Sequence, residues 1–519
     1  MEIELSEIRT KIVNHFKFSG FNLKQEVADK LSRMLKKCSS PEDVQEALEK
    51  ITDVILERGI TSTLIDINLL EQVLQEAVSI NEPQDYIFVY DAFYFPKFSY
   101  NCDLKKFVKC KLEPLSLHPE AASKISLFRE RYNIVLQILQ RHDLFSVRSL
   151  ASANNEKYSL TTTEALIGSS SSDSCIILGM LVQLKEGEYH LEDLTGTVKL
   201  DLTIASYQKG IFSENSIIIV EGCYEDKVLL AKAIGFPPFE SAQKTVNYFG
   251  NINFFGGNSS ACPKASAQLR DLEDTLVNSF FVVISDIWLD IPQVLSKLKV
   301  LFDGYSDNPP TAFILIGNFS SEPYGTLHYQ RSKDTFKQLA ILIAMFPNIQ
   351  EKSHFIIIPG PEDVGPGNIF PKPALPSSIQ AEFKKRVPLA KFTTNPSRIQ
   401  LCTKEIVIIR DDLLKKLCSG AIHFSSSADI PDHLTHTILS QAYLCPLPIH
   451  SRPIYWEYSH SLSLYPIPDF LILADRYTHF SVCMNDCTCV NPGPFSQNEF
   501  YFSAIYPVTG VVEDCLVPL

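Results

Sequence analysis

Apolar residues keep a helical rhythm through the first part of this chain. From residue 6 to 78 they recur every three or four positions: Val27, Leu31, Met34 and Leu35; then Val44, Leu48, Ile51 and Ile55; then Leu70, Val73, Leu74 and Ala77. Asn22 with Gln25 reads as a capping-box start, Ser40-Pro41 opens the next helix, and Gly59 closes it. A helical domain of four packed helices is predicted over 1–79. Residues 80–172 are mixed and read as a linking segment. "YIFVYDAFYFPKFSY" is aromatic and β-like, "SKISLFRERYNIVLQILQRHDLF" is a strong amphipathic helix, and "GSSSSDS" (168–174) is a flexible connector.

The rhythm then shortens. "CIILGMLVQL", "EYHLED", "TVKLDL", "SIIIVEGCY" and "KVLLAKAIG" are five strand candidates with turn signals between them. Their order resembles an OB-fold β-barrel, assigned to 173–240. Over 175–235 this segment holds five Lys, no Arg and nine Asp/Glu, a net −4. A single-strand-binding barrel needs a basic groove with stacking aromatics; Tyr189 is one candidate stacker, but a lone aromatic on a strand is more often packing, so a protein-binding barrel is favoured. From 241 to 519 an aromatic stretch, "YFGNINFFGG", gives way to short runs: "FFVVIS", "AFILIG", "HFIIIPG", "EIVIIR" and "FLILAD". Continuous β-branched runs suit strands covered on both faces. Helical patterns between them, such as "DTFKQLAILIAMF", complete a layered α/β sandwich. The chain as a whole reads as an α+β multidomain protein.

Composition narrows the function classes. A length of 519 residues suits about three domains. A net charge of −13 makes a general duplex binder a poor expectation, because such affinity comes from Lys and Arg neutralising phosphates. Thirteen irregularly spaced cysteines read as reduced thiols, Cys483, Cys487 and Cys489 included, since a fourth ligand for zinc is not evident. No signal peptide and no membrane span are expected, and without a GxxxxGK[ST] no P-loop is supported.

Chemistry in such sheets gathers at strand ends. Five of them read Ser285-Asp286-Ile287-Trp288, Gly317-Asn318-Phe319-Ser320-Ser321, Gly360-Pro361-Glu362-Asp363, Arg410-Asp411-Asp412 and Ala474-Asp475-Arg476-Tyr477. In this order they resemble the DxH, GDxxD, GNHD/E, lone-His and GHxH motifs of calcineurin-like metallophosphoesterases. Those motifs place a bridging aspartate and imidazoles around two metal ions that activate water. Here Asp286 and Asp363 remain. Trp288, Asn318, Ser321, Pro361, Glu362, Asp475 and Tyr477 stand where ligands are required. Neutral Asn318 at the bridge leaves two cations without a shared carboxylate. Arg410 and Arg476 are read as ion-pairing the remaining acids. His423, His433, His436, His450 and His460 are expected to be loop and surface histidines, not relocated ligands.

An OB-fold followed by a degenerate phosphoesterase resembles the B subunits of the eukaryotic replicative DNA polymerases. "YFGNINFFGG", "PPTAFILIGNFSSEPYG", "RVPLAKFTTNPSRIQ", "LSQAYLCPLPIHSRPIYW", "LYPIPDFLILADRY" and "NPGPF" point to the epsilon branch of that family. The resemblance implies a nuclear, non-catalytic accessory subunit with no cofactor, metal or catalytic residue. It implies that the OB and phosphoesterase domains hold the cysteine-rich C-terminal domain of the catalytic subunit of DNA polymerase epsilon. The N-terminal domain would resemble an AAA+ lid and reach the GINS complex and replicative helicase. Small histone-fold subunits would share the complex, and DNA would be met at most indirectly. Tyr455 and Trp456 are candidate interface anchors. The alternative is an active metal-dependent phosphoesterase or nuclease with relocated ligands.

Overall fold

A computed structural model describes residues 5–18, 21–35, 48, 52, 64–65, 86–110, 115–145, 158–257, 259, 262–323, 328–424 and 429–518. The chain divides into two units, Met1–Tyr86 and Ile87–Leu519. In the first, α1 (Leu5–Phe18) and α2 (Gln25–Leu35) bury Ile12, Phe16, Val27 and Leu31. A two-residue parallel pairing joins β1 (Asn22–Leu23) to β2 (Leu64–Ile65). Asn22 therefore lies in a strand and is not the cap expected of it; α2 begins at Gln25, with Lys24 O accepting from Val27 N and Ala28 N. The helix expected after Ser40-Pro41 lies mostly outside the described residues, and the stripe at Leu70–Ala77 lies wholly outside them.

The second unit opens with β3 (Ile87–Asp91), then a hairpin of β4 (Phe98–Asn101) and β5 (Lys106–Lys109), then the predicted amphipathic helix, α3 (Ala121–Arg141). The segment does more than link, because β3 becomes the edge strand of a sheet built from the C-terminal half. The connector expected at 168–174 is shorter than read, since the next strand starts at Ser172.

The five predicted barrel strands are present as β6 (Ser172–Lys185), β7 (Glu188–Glu192), β8 (Thr197–Asp201), β11 (Ile217–Glu225) and β12 (Val228–Gly235), with the short β9 (Ser206–Tyr207) and β10 (Ile211–Ser213) between. β6 pairs with β11 and β7, β8 closes onto β12, and β11 pairs with β12. Their alternating side chains form one core around Ile177, Leu191, Ile218, Val220 and Leu229, and Tyr189 packs partly buried against it.

The rest is a sandwich of two six-stranded sheets. One runs β16 (Ala390–Phe392), β15 (His354–Ile358), β14 (Ala312–Ile316), β13 (Phe281–Ser285), β23 (Tyr501–Tyr506), β24 (Val511–Leu516). The other runs β21 (Phe480–Met484), β22 (Cys487–Asn491), β20 (Phe470–Ala474), β18 (Lys404–Arg410), β17 (Ser397–Leu401), β3. The central strands β13, β14, β15 and β20 run parallel to a neighbour, and β13, β14 and β20 are buried along their whole length. That burial accounts for their unbroken apolar runs. Helices such as Pro292–Gly304 and His328–Ile343 cover the first sheet around Phe302, Phe313, Phe336 and Phe355.

Barrel and sandwich are joined by main-chain and side-chain bonds. β10 pairs antiparallel with β19 (Ala421–Phe424). Along the helix Ile430–Ser440 and the residue after it, three polar side chains four apart face the barrel backbone. His433 Nδ1 accepts from Gly210 N (2.9 Å), Thr437 Oγ1 from Ile211 N (2.9 Å), and Gln441 both accepts from Ile217 N (2.7 Å) and donates to Ile217 O (2.8 Å). This i, i+4 spacing puts all three on one helix face.

Candidate functional site

The parallel strands β13, β14 and β15 of one sheet and β18 and β20 of the other end at the same place, so the five strand ends converge. Arg410 lies at the centre, fully buried with Asp286. Its Nη2 donates to Asp286 Oδ1 (3.0 Å) and Oδ2 (2.8 Å), Nη1 to Asp412 Oδ1 (2.8 Å) and Ala474 O (3.2 Å), and Nε to Gly317 O (3.0 Å). The planar fork thus meets five oxygens from four strand ends, which matches the donor inventory of a guanidinium. Burial alone would lower the Arg410 pKa; the Asp286 and Asp412 charges outweigh it and raise it. The site holds a permanent cation supplied by the chain itself.

The other positions close around it. Asn318 donates its backbone N–H (3.1 Å) and Nδ2 (3.3 Å) to Asp286 Oδ1, donates Nδ2 to Glu362 Oε2 (3.2 Å), and accepts from Glu362 N (3.0 Å). The neutral amide thus has both its donor and its acceptor in use. Asp363 accepts from Phe319 N and Gly360 N, each at 2.7 Å. Burial pushes its pKa up to about 6 against those bonds. Gly317 is required by packing, since a Cβ there would collide with Asp363 Oδ2 and Gly360 N. Asp475 caps the helix Leu413–Ser419 through Leu414 N (2.9 Å), accepts from Tyr477 N (3.1 Å), and is likewise raised by burial to about 6. Arg476 pairs with Glu362 (2.7 Å) and approaches Asp412 (3.6 Å).

Ser321 binds Asp290 through its N–H (3.0 Å) and Oγ (2.6 Å). Trp288 is partly buried against the first core, and its backbone N–H donates to Ser496 Oγ. Pro361 offers its carbonyl to the buried Lys372, whose Nζ donates to Pro361 O (2.9 Å) and Asp363 O (2.6 Å). Burial brings the Lys372 pKa down to about 8. Asp290 and Lys372 do not stand out in the sequence. A lone Lys between two prolines, "FPKPAL", is the available signal for the second.

His450 is exposed in a turn, as expected, but three other histidines need a correction. His433 is buried on a helix, bonded to the barrel, and His460 bonds Phe95 O at 3.2 Å. His436 and His460 are pushed down to about 4, first by burial. They are structural and interior because the helix and loops that carry them pack between elements. Cys487 and Cys489 are buried on β22 and Cys483 is exposed on β21, all free thiols. Among the described residues no group of three or more His, Cys, Asp or Glu is placed to hold a metal. Tyr455 and Trp456 are half-buried where the 3-10 turn Trp456–Leu462 begins.

Comparison with known proteins places this arrangement. Residues 281–482 match the family model for the B subunit of DNA polymerase alpha/epsilon, residues 121–238 the OB-fold domain of DNA polymerase epsilon subunit 2-like proteins, and residues 4–77 the DNA polymerases epsilon N terminal model. DNA polymerase epsilon subunit 2 of Bos taurus is 44% identical over 517 residues, covering 98% of each chain. The chain belongs to the DNA polymerase epsilon subunit 2 family. The Homo sapiens member is 43% identical over 517 residues, again covering 98% of each chain. The Drosophila melanogaster member is 34% identical, covering 100% of this chain and 99% of its own. Among solved structures, an archaeal phosphodiesterase is matched over 46% of this chain and 98% of its own, at 11% identity and TM-score 0.26.

Proposed function

We propose that this chain is a non-catalytic accessory subunit of a DNA polymerase epsilon complex, acting in DNA replication in the nucleus. Arg410 carries the reading. Its guanidinium takes five oxygens at the point where converging strand ends would have to present ligands to a metal. Asp286 has both oxygens committed to it, and Asn318 offers no shared carboxylate. A hydrolytic centre needs an acceptor-rich, open site; this one is closed by the chain's own cation.

The domains have the bounds 1–79 (helical), 80–172 (linking segment with α3), 173–240 (OB-fold) and 241–519 (degenerate phosphoesterase). The barrel and sandwich, bonded through β10–β19 and Gln441, present a preformed surface to the cysteine-rich C-terminal domain of the catalytic subunit, with Tyr455 and Trp456 as anchors. The N-terminal domain is the tether toward GINS and the helicase, and small histone-fold subunits share the same assembly.

The test is co-expression with the C-terminal domain of a polymerase epsilon catalytic subunit. Stable co-elution is expected, and separate elution defeats the scaffold reading. The purified chain with Mn²⁺ and a phosphodiester substrate should give no turnover above a no-enzyme control. Turnover that disappears in Asp286→Ala would establish the hydrolase instead.

A further inference from the structure

Away from the strand ends, a cavity of about 50 Å³ is lined by Glu130, Arg131, Arg398, Tyr443, Ser459 and His460, among others. Arg131 comes from α3 and Arg398 from β17; they are 5% and 6% exposed. Burying a guanidinium is costly unless charged acceptors replace its hydration. Here the acceptors are neutral. Among the described residues Arg131 donates to Asn215 O (3.1 Å), and Arg398 to Phe254 O (3.0 Å), Phe255 O (2.9 Å) and Ser463 O (3.1 Å). Among the described residues the Nε of each is buried without a hydrogen-bond partner. Each guanidinium lies over a ring, Tyr443 at 4.6 Å and Phe95 at 4.2 Å.

The nearby carboxylates are engaged elsewhere. Glu130 pairs with Lys97 at 3.5 Å, and Glu405 with Lys264 at 3.3 Å. Among the residues that line the cavity, Arg131 and Arg398 therefore outnumber Glu130, the one carboxylate there. His460 adds no charge near neutral pH, since burial, helped by Lys97 and Arg398, holds it as the free base. A cavity needs only about 10–15 Å³ to hold a water, so this one has room for a group of several heavy atoms.

We propose that this cavity binds one small inorganic oxyanion of the phosphate or sulfate class, held between Arg131 and Arg398. The anion supplies the charged acceptor that both guanidinium groups lack and ties α3 to the sandwich. The proposal is independent of the polymerase role.

The test uses the full chain in chloride-free buffer, with ionic strength held constant by gluconate, and inorganic phosphate titrated to about 20 mM. The wild-type Tm should rise saturably, by about 2–4 °C. Arg131→Met should abolish the response and Arg131→Lys should retain part of it. No response in the wild type overturns the proposal. A full response in Arg131→Met also overturns it and identifies an adventitious ion only. A second measurement needs no variant: crystals soaked in selenate should carry an anomalous peak in this cavity, and density fitted by waters alone refutes the site.

Discussion

Arg410→Met tests whether the guanidinium holds the strand ends together. The substitution keeps an apolar stem of similar length and removes the cation. Asp286 is then left fully buried, its side chain bonded, among the described residues, only by the Asn318 N–H and amide at 3.1 and 3.3 Å. Breaking a buried ion pair from one side costs about 3–5 kcal/mol. The carbonyls of Gly317 and Ala474 also lose donors, at about 1–3 kcal/mol each when no replacement forms. The bonds from Asn318 offset part of the charge penalty, so a net loss of about 4–6 kcal/mol is expected, a large part of a typical total of about 5–15 kcal/mol. Urea unfolding followed by tryptophan fluorescence is a suitable assay, because both tryptophans, Trp288 and Trp456, lie in the second unit. Adding Asp286→Asn removes the stranded charge and should recover about 2 kcal/mol. A loss below about 1 kcal/mol in Arg410→Met, or no recovery in the double variant, would refute the view of Arg410 as the site's resident cation.

Three further outcomes follow from the same geometry. Gln441→Leu leaves the Ile217 N–H and C=O without partners and should cost about 2–4 kcal/mol; hydrogen exchange should quicken in β10 and β11 but not in β13, and uniform quickening would contradict a local weld. Gly317→Ala forces a methyl against Asp363 and Gly360 and should cost about 3 kcal/mol or more, seen as a lower urea midpoint. Asp475, with its folded pKa near 6 against 3.8, binds its proton more tightly when folded, so its contribution is greatest below pH 4 and is lost as pH rises toward and through 6. Asp475→Asn should flatten the decline in stability between pH 4.5 and 7 by on the order of 2–3 kcal/mol, and an unchanged slope would remove Asp475 as its source.

The sandwich's central strands are readable because both their faces are covered, which writes burial into every position, as in "FILI" and "LILA". β17 ("SRIQL") is also buried throughout, yet Ser397, Arg398 and Gln400 lie inside, held by partners outside the strand; Arg398, for one, is bonded to the carbonyls of Phe254, Phe255 and Ser463. No local pattern announces such partners. β24 alternates weakly, since it is an exposed edge. At the site, the acids and polar groups that converge are visible in the strand-end residues. The reach of Arg410 across two sheets is not, because it depends on how β18 and β14 approach in space. His433, His436 and His460 mislead for the same reason: residue type suggests surface, and long-range packing decides otherwise.

The pairing of β3 with β17 has a temporal side. Tyr90 and Gln400, bonded across it, are 310 residues apart in the chain. At roughly 5–20 residues per second, synthesis separates the two strands by about 15–60 s. Throughout that interval Ile87–Asp91 lacks the strand it pairs with in the folded protein. The second unit therefore cannot be finished piece by piece as it is made. The C-terminal half must return to collect a strand already waiting, and a nascent chain halted before residue 397 carries an open edge that holdase chaperones are suited to cover.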